Sequence, residues 1–140
     1  MSHNIGIMQG RLSPSVDGKI QFFPWDTWEK EFFSASELGF SEIEFIFDYE
    51  NYLLNPVFSN GGPERINGLV DKTGVKVRFI CADYFMQKPF FRTDMDDVHN
   101  NTKVLKHLIY QAGRIKAKGI EIPLVDNSSI KNQNEAERLI

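Results

Sequence analysis

Four apolar runs in this 140-residue chain each end on polar side chains that can do chemistry. Gln9 and Arg11 follow Ile5–Met8, and Asp48 and Glu50 follow Glu42–Phe47. Asp83 follows Val75–Ala82, and Asp126 and Asn127 follow Ile120–Val125. Carboxylates at such positions move protons, accept from hydroxyls or hold cations, and guanidinium groups fork onto phosphate or carboxylate. Glu44 differs, because it lies inside a run and alternates with Ile43 and Phe45. On a strand it faces away from them, into a barrel interior or groove, where a carboxylate is costly unless paired or metal-bound. Taken singly, an Asp or Asn at a strand end is an ordinary turn former or cap. The recurrence at four successive ends makes Gln9, Arg11, Glu44, Asp83 and Asp126 the candidate substrate-binding set, with no residue assigned as catalytic.

The remaining chemistry-bearing residues are weaker candidates. Arg11, Lys19 and Arg92 fall in loops on the same side and can hold an anion, or stand solvated. Phe22, Phe23, Trp25, Tyr49, Tyr84 and Phe85 can wall a sugar pocket, or pack beneath long loops. His3, His99 and His107 are scattered and make no metal site by spacing: His3 lies near the terminus, His99 in a loop and His107 at a helix surface or edge. Cys81, in an apolar strand, reads as a small core residue. Phosphate-loop, dinucleotide-binding and zinc motifs (GxxxxGK[ST], GxGxxG, HExxH, CxxC) are absent from the sequence.

Strand–helix units must position these tips. Asp26 and Glu29 have capping-box spacing, and Trp28, Phe32, Ala35 and Leu38 line one face of the helix that follows, which Gly39 ends. Glu42–Phe47 reads as a strand with Ile43, Phe45 and Phe47 on one face. Pro63 suits a helix start, Ile66, Leu69 and Val70 supply its apolar face, and Gly74 stops it. Val75–Ala82 is the third strand, followed by an aromatic loop, Phe85–Phe91. The third helix spans roughly Thr102–Lys118, with Gly119 as its left-handed stop; then come strand Ile120–Val125 and a helix starting near Glu135 and running to Ile140. Alternating strands and helices predict a parallel α/β sheet with right-handed crossovers. Either an open doubly wound sheet or the first half of a (β/α)8 barrel satisfies this pattern. The break in the fourth helix favours the half-barrel: one domain over residues 1–140, about four βα units.

Composition narrows the class. Apolar residues make up 41% and charged residues 25%, which is globular, and the net charge of −3 without a basic block argues against nucleic acid and anionic membranes. No apolar run reaches the roughly 18 residues of a membrane span, and the N-terminus does not read as a signal peptide. With a single cysteine no intrachain disulfide can form, so a reducing, cytoplasmic location is the expectation.

Several stretches resemble the sugar phosphate isomerase/epimerase family, a group of xylose isomerase-like TIM barrels: GIMQGRLSP at Gly6–Pro14, KIQFFP at Lys19–Pro24, the helix WEKEFFSASELGF, IEFIFD at Ile43–Asp48 and EIPLVDNSSI at Glu121–Ile130. The resemblance runs in order along nearly the whole chain. It implies a divalent-metal enzyme (Mn, Mg, Zn or Co) that moves a proton beside a sugar carbonyl through an enediolate, acting on a sugar or sugar phosphate. The family's metal ligands, two glutamates, an aspartate and a histidine, come from strands five to eight, so the resemblance implies that they are not in this chain and that the chain alone is inactive or incomplete.

Four strands of a barrel leave two open edges, which invites pairing into a homodimer. A non-catalytic half-barrel that self-associates is therefore the competing reading. An endonuclease IV-like DNA repair protein, sharing the barrel, is a third that the acidic balance argues against.

Overall fold

The computed structural model describes residues 4–19 and 21–138; His3 and the helix end at Leu139 and Ile140 lie outside them. Four strands, β1 (Gly6–Met8), β2 (Glu42–Ile46), β3 (Lys76–Cys81) and β4 (Gly119–Glu121), form one sheet in the order β1-β2-β3-β4. All three pairings are parallel. Each strand lies beside its neighbour in sequence, so the described units lack the reversal that defines a doubly wound sheet. The connecting helices are α1 (Trp28–Glu37), α2 (Gly62–Thr73), the short α3 (Tyr84–Gln87), α4 (Met95–Arg114) and α5 (Gln133–Glu137).

One face of the sheet carries the core. Ile43 and Phe45 of β2, together with Val77 and Ile80 of β3, are buried with Trp28, Phe32, Ile66, Leu108 and Ile115 from the helices. Trp28 meets Phe45 edge-on with ring centroids 6.0 Å apart. Val77 and Ile80 are three residues apart yet share this face, because the β2–β3 register slips after Ile43: Ile43 pairs with Val77, but Glu44 pairs with Phe79. Arg78 is the extra residue of the bulge, and its side chain reaches Glu42 at 3.3 Å. The opposite face is sparsely covered. There the register sets Met8, Glu44, Phe79 and Gly119 in one row and Ile46, Cys81 and Glu121 in the next. Phe79 is 48% exposed, and its ring lies 3.2 Å from where a Cβ on Gly119 would stand.

Several expectations need correction. Asp26 does not cap α1: Thr27 holds the N-cap position without a side-chain bond, and Leu38 is exposed on the far side of the turn. The aromatic loop after β3 contains α3. Helix α4 begins seven residues before Thr102, where Asp94 accepts from the Asp97 N–H at 2.7 Å, so His99 is an exposed helical residue rather than a loop one. Its first two turns carry mostly polar residues, which hides them from an apolar-spacing argument. It ends at Arg114, and Lys116 rather than Gly119 takes the left-handed conformation, at φ 59°. Gly119 instead opens β4, and β4 stops at Glu121.

Candidate functional site

The sparsely covered face gathers the strand-borne chemistry. Glu44 on β2, Cys81 on β3 and Glu121 on β4 each offer one ligand atom, all within 4.8 Å of one another. Burial, then the neighbouring Glu121 carboxyl, then the charge of Asp83 push the Glu44 carboxyl above its ordinary range. The Cys81 thiol is pushed strongly upward by burial and then by Asp83, so it stays protonated, and its Sγ donates to Asp83 Oδ1 at 3.2 Å. Asp83 thereby ties the trio to the rim: its Oδ2 accepts from Gln21 Nε2 at 2.9 Å. Two carboxylates and a sulfur are a donor set that suits zinc or cobalt better than magnesium.

The rim is the β1–α1 loop, held by two carboxylates, one buried and one half-buried. Glu31, in the first turn of α1 and 1% exposed, accepts from the Gly10 N–H at 2.9 Å, the Leu12 N–H at 3.1 Å and Ser13 Oγ at 2.9 Å. Burial raises its carboxyl overall, and these donors pull it back. Asp48, just past β2, accepts from the Phe23 N–H at 2.8 Å and pins the FFP segment; burial raises its carboxyl, and the Phe23 N–H lowers it. The pinned loop walls a cavity of about 650 Å³ at the C-terminal ends of β2 and β3, with Asp48 and Asp83 in its lining.

The sequence-derived candidates divide. Glu44 and Asp83 belong to this constellation. Gln9 is buried, and its Oε1 accepts from the Ile46 N–H at 2.9 Å, extending the β2 ladder. Its Nε2 is buried without a hydrogen-bond partner among the described residues. Arg11 is exposed on the loop beyond Gly10. Asp126 is not at a strand end: it lies five residues beyond β4, at φ 50°, in a 3-10 turn (Asp126–Ser128) that packs against α3. The true β4 tip is Glu121, which the strand reading passed over because the apolar run continues to Val125. Arg92 is not free for an anion, since it binds Glu135 at 2.5 Å and the carbonyls of Asn127 and Ser129. Among the aromatics, Phe22, Phe23 and Trp25 line the cavity, whereas Tyr84 and Phe85 are core. His107 is half-buried, with Nε2 3.0 Å from the Phe58 carbonyl. Glu31 was missed, although a glutamate three residues after Trp28 on an apolar helix face is the signal that finds it.

No protein-family model matches the chain, and no curated protein matches it. No helix among the described residues is long and apolar enough to cross a membrane.

Proposed function

We propose that the chain is the first half of a xylose isomerase-like (β/α)8 barrel and takes part in sugar isomerisation or epimerisation. The observation that carries this reading is the Glu44–Glu121 pair on the sparsely covered face of a singly wound parallel sheet, adjoining the loops at the strands' C-terminal ends. In parallel βα folds that end is where substrates bind. The motifs from Gly6 to Pro14 and from Lys19 to Pro24 support the family assignment. A carboxylate set beside a substrate carbonyl can take a proton from the neighbouring carbon and return it. Glu44 and Glu121, with Cys81 once a cation displaces its thiol proton, would hold a divalent cation, which would supply polarisation of the sugar carbonyl; this set is distinct from the ligands that the family carries on strands five to eight. Asp83 orients the thiol, and Asp48 and Glu31 fix the loop over the site. The test is interconversion of free and phosphorylated aldoses and ketoses by the purified chain, with and without zinc, cobalt or manganese. Turnover that depends on the metal and is lost in Glu44→Gln supports the reading. No turnover under any of these conditions contradicts catalysis by this pair in the isolated chain and favours the non-catalytic reading.

A second reading, a non-catalytic half-barrel that self-associates, draws on a different observation. An apolar groove of about 460 Å³ runs between α4 and β4, lined by Leu105, Ile109, Ala112, Ile120 and Ile122. It flanks the free edge of β4, where a further strand and helix of a barrel would pack, and a second copy can supply them.

A further inference from the structure

The cavity beside the β1–α1 loop has a lining that discriminates between ligands. Five carboxylates face it, Asp17, Asp26, Asp48, Glu50 and Asp83, against one cation, Lys19. Asp48 spends Oδ2 on the Phe23 N–H, and Asp83 spends both oxygens, on Cys81 and Gln21. Each carboxylate oxygen can still accept a further hydrogen bond from a hydroxyl at the cavity surface. Apolar surface lies beside these acceptors: Trp25 is 39% exposed and stands edge-on to Phe23, with ring centroids 4.6 Å apart, and Phe22 is half-buried next to it. An aromatic wall with a few convergent acceptors suits a ligand with a C–H face and several hydroxyl donors. The same lining repels an anion, because a phosphate dianion would enter a field set by five carboxylates and one lysine. Arg11 is exposed on the same loop but does not line the cavity, and Arg92 is held by Glu135.

We infer that this cavity is a subsite for an uncharged polyhydroxylated ring and rejects the phosphorylated form. Calling that ring a sugar rests on the proposed isomerase/epimerase reading; the rejection of phosphate rests on the cavity lining alone. The inference separates this chain from enzymes that recognise their substrate by its phosphate.

Saturation-transfer NMR on the full chain tests it, with glucose, fructose, ribose and N-acetylglucosamine as probes beside their monophosphates. Binding of at least one free sugar is expected, with its monophosphate weaker by about tenfold at low ionic strength and the gap closing in high salt. Asp26 and Glu50 are exposed, so the double variant Asp26→Asn, Glu50→Gln should keep the fold, which a thermal melt checks, and narrow the gap. Trp25→Ala weakens free sugar and phosphate alike. Equal or tighter binding of the phosphates, or no binding of any free sugar, overturns the inference. The same samples are assayed for interconversion. Selective binding without turnover removes catalysis by the isolated chain and leaves the subsite standing, whereas turnover of phosphates alone does the reverse.

Discussion

Glu44 on β2 and Glu121 on β4 reach across β3 and meet beside Cys81, with their ligand atoms within 4.8 Å. Strand register alone produces this meeting. Cys81 pairs with Glu121, Ile46 pairs with Cys81, and Glu44 lies two residues before Ile46 on the same face. The pair has a consequence for stability. Burial and the neighbouring carboxyl raise the Glu44 pKa in the folded chain. The folded state therefore holds a proton that the unfolded chain releases, and stability falls as pH rises from the ordinary glutamate range through the raised folded value. Glu44→Gln removes that titration. Thermal melts from about pH 4 to pH 7 should show the variant gaining on the parent as pH climbs, with the two converging at the acid end. A constant difference at every pH would show that Glu44 does not titrate abnormally.

Glu31 is the anchor of the β1–α1 loop. Removing it leaves the Gly10 and Leu12 N–H groups without their acceptor, while the Ser13 hydroxyl can turn to Thr27 Oγ1 at 2.6 Å. Glu31→Ala should cost about 2–4 kcal/mol in chemical denaturation, because stranded buried donors pay their full desolvation. Glu31→Gln, which keeps one acceptor oxygen, should lose less. Sugar binding in the cavity should weaken in both, in the same order.

Gly62 opens α2 beneath the Pro56 carbonyl. A Cβ there would stand 1.9 Å from that backbone oxygen, which cannot move aside as a flexible side chain can. Gly62→Ala should destabilise the chain by about 3 kcal/mol or more. Gly68→Ala on the same helix meets nothing within 4 Å and serves as the control, with no loss or a slight gain.

Self-association through the β4 edge predicts a mass near twice 16.2 kDa by light scattering. Ile109 is 55% exposed at the groove, so Ile109→Glu should leave the fold intact and halve the mass. A parent chain that is already monomeric would remove the second reading.

The alternation of strands and helices was legible because each buried element keeps its own period. Ile43, Phe45 and Phe47 alternate, and Trp28, Phe32 and Ala35 keep helical spacing; all are buried. The start of α4 was not legible, because residues 95–103 are largely polar and a single Asp94 cap fixes the boundary. The site was half legible. Glu44 broke an apolar alternation and so could be found. Glu121 ends a strand whose apolar pattern runs on through Ile122–Val125, and Cys81 looked like filler until the register placed it between two carboxylates. Asp126 looked like a tip for the same reason that Glu121 did not.

The most direct test of the central claim is deuterium uptake from D2O at the carbon beside the carbonyl of fructose and glucose, followed by proton NMR with the chain and zinc or manganese present. The account predicts signal loss at that carbon for the parent, and none for Glu121→Gln, whose fold and melting temperature are retained. Equal exchange in parent and variant, or exchange in neither, would contradict the assignment of proton transfer to the Glu44–Glu121 pair.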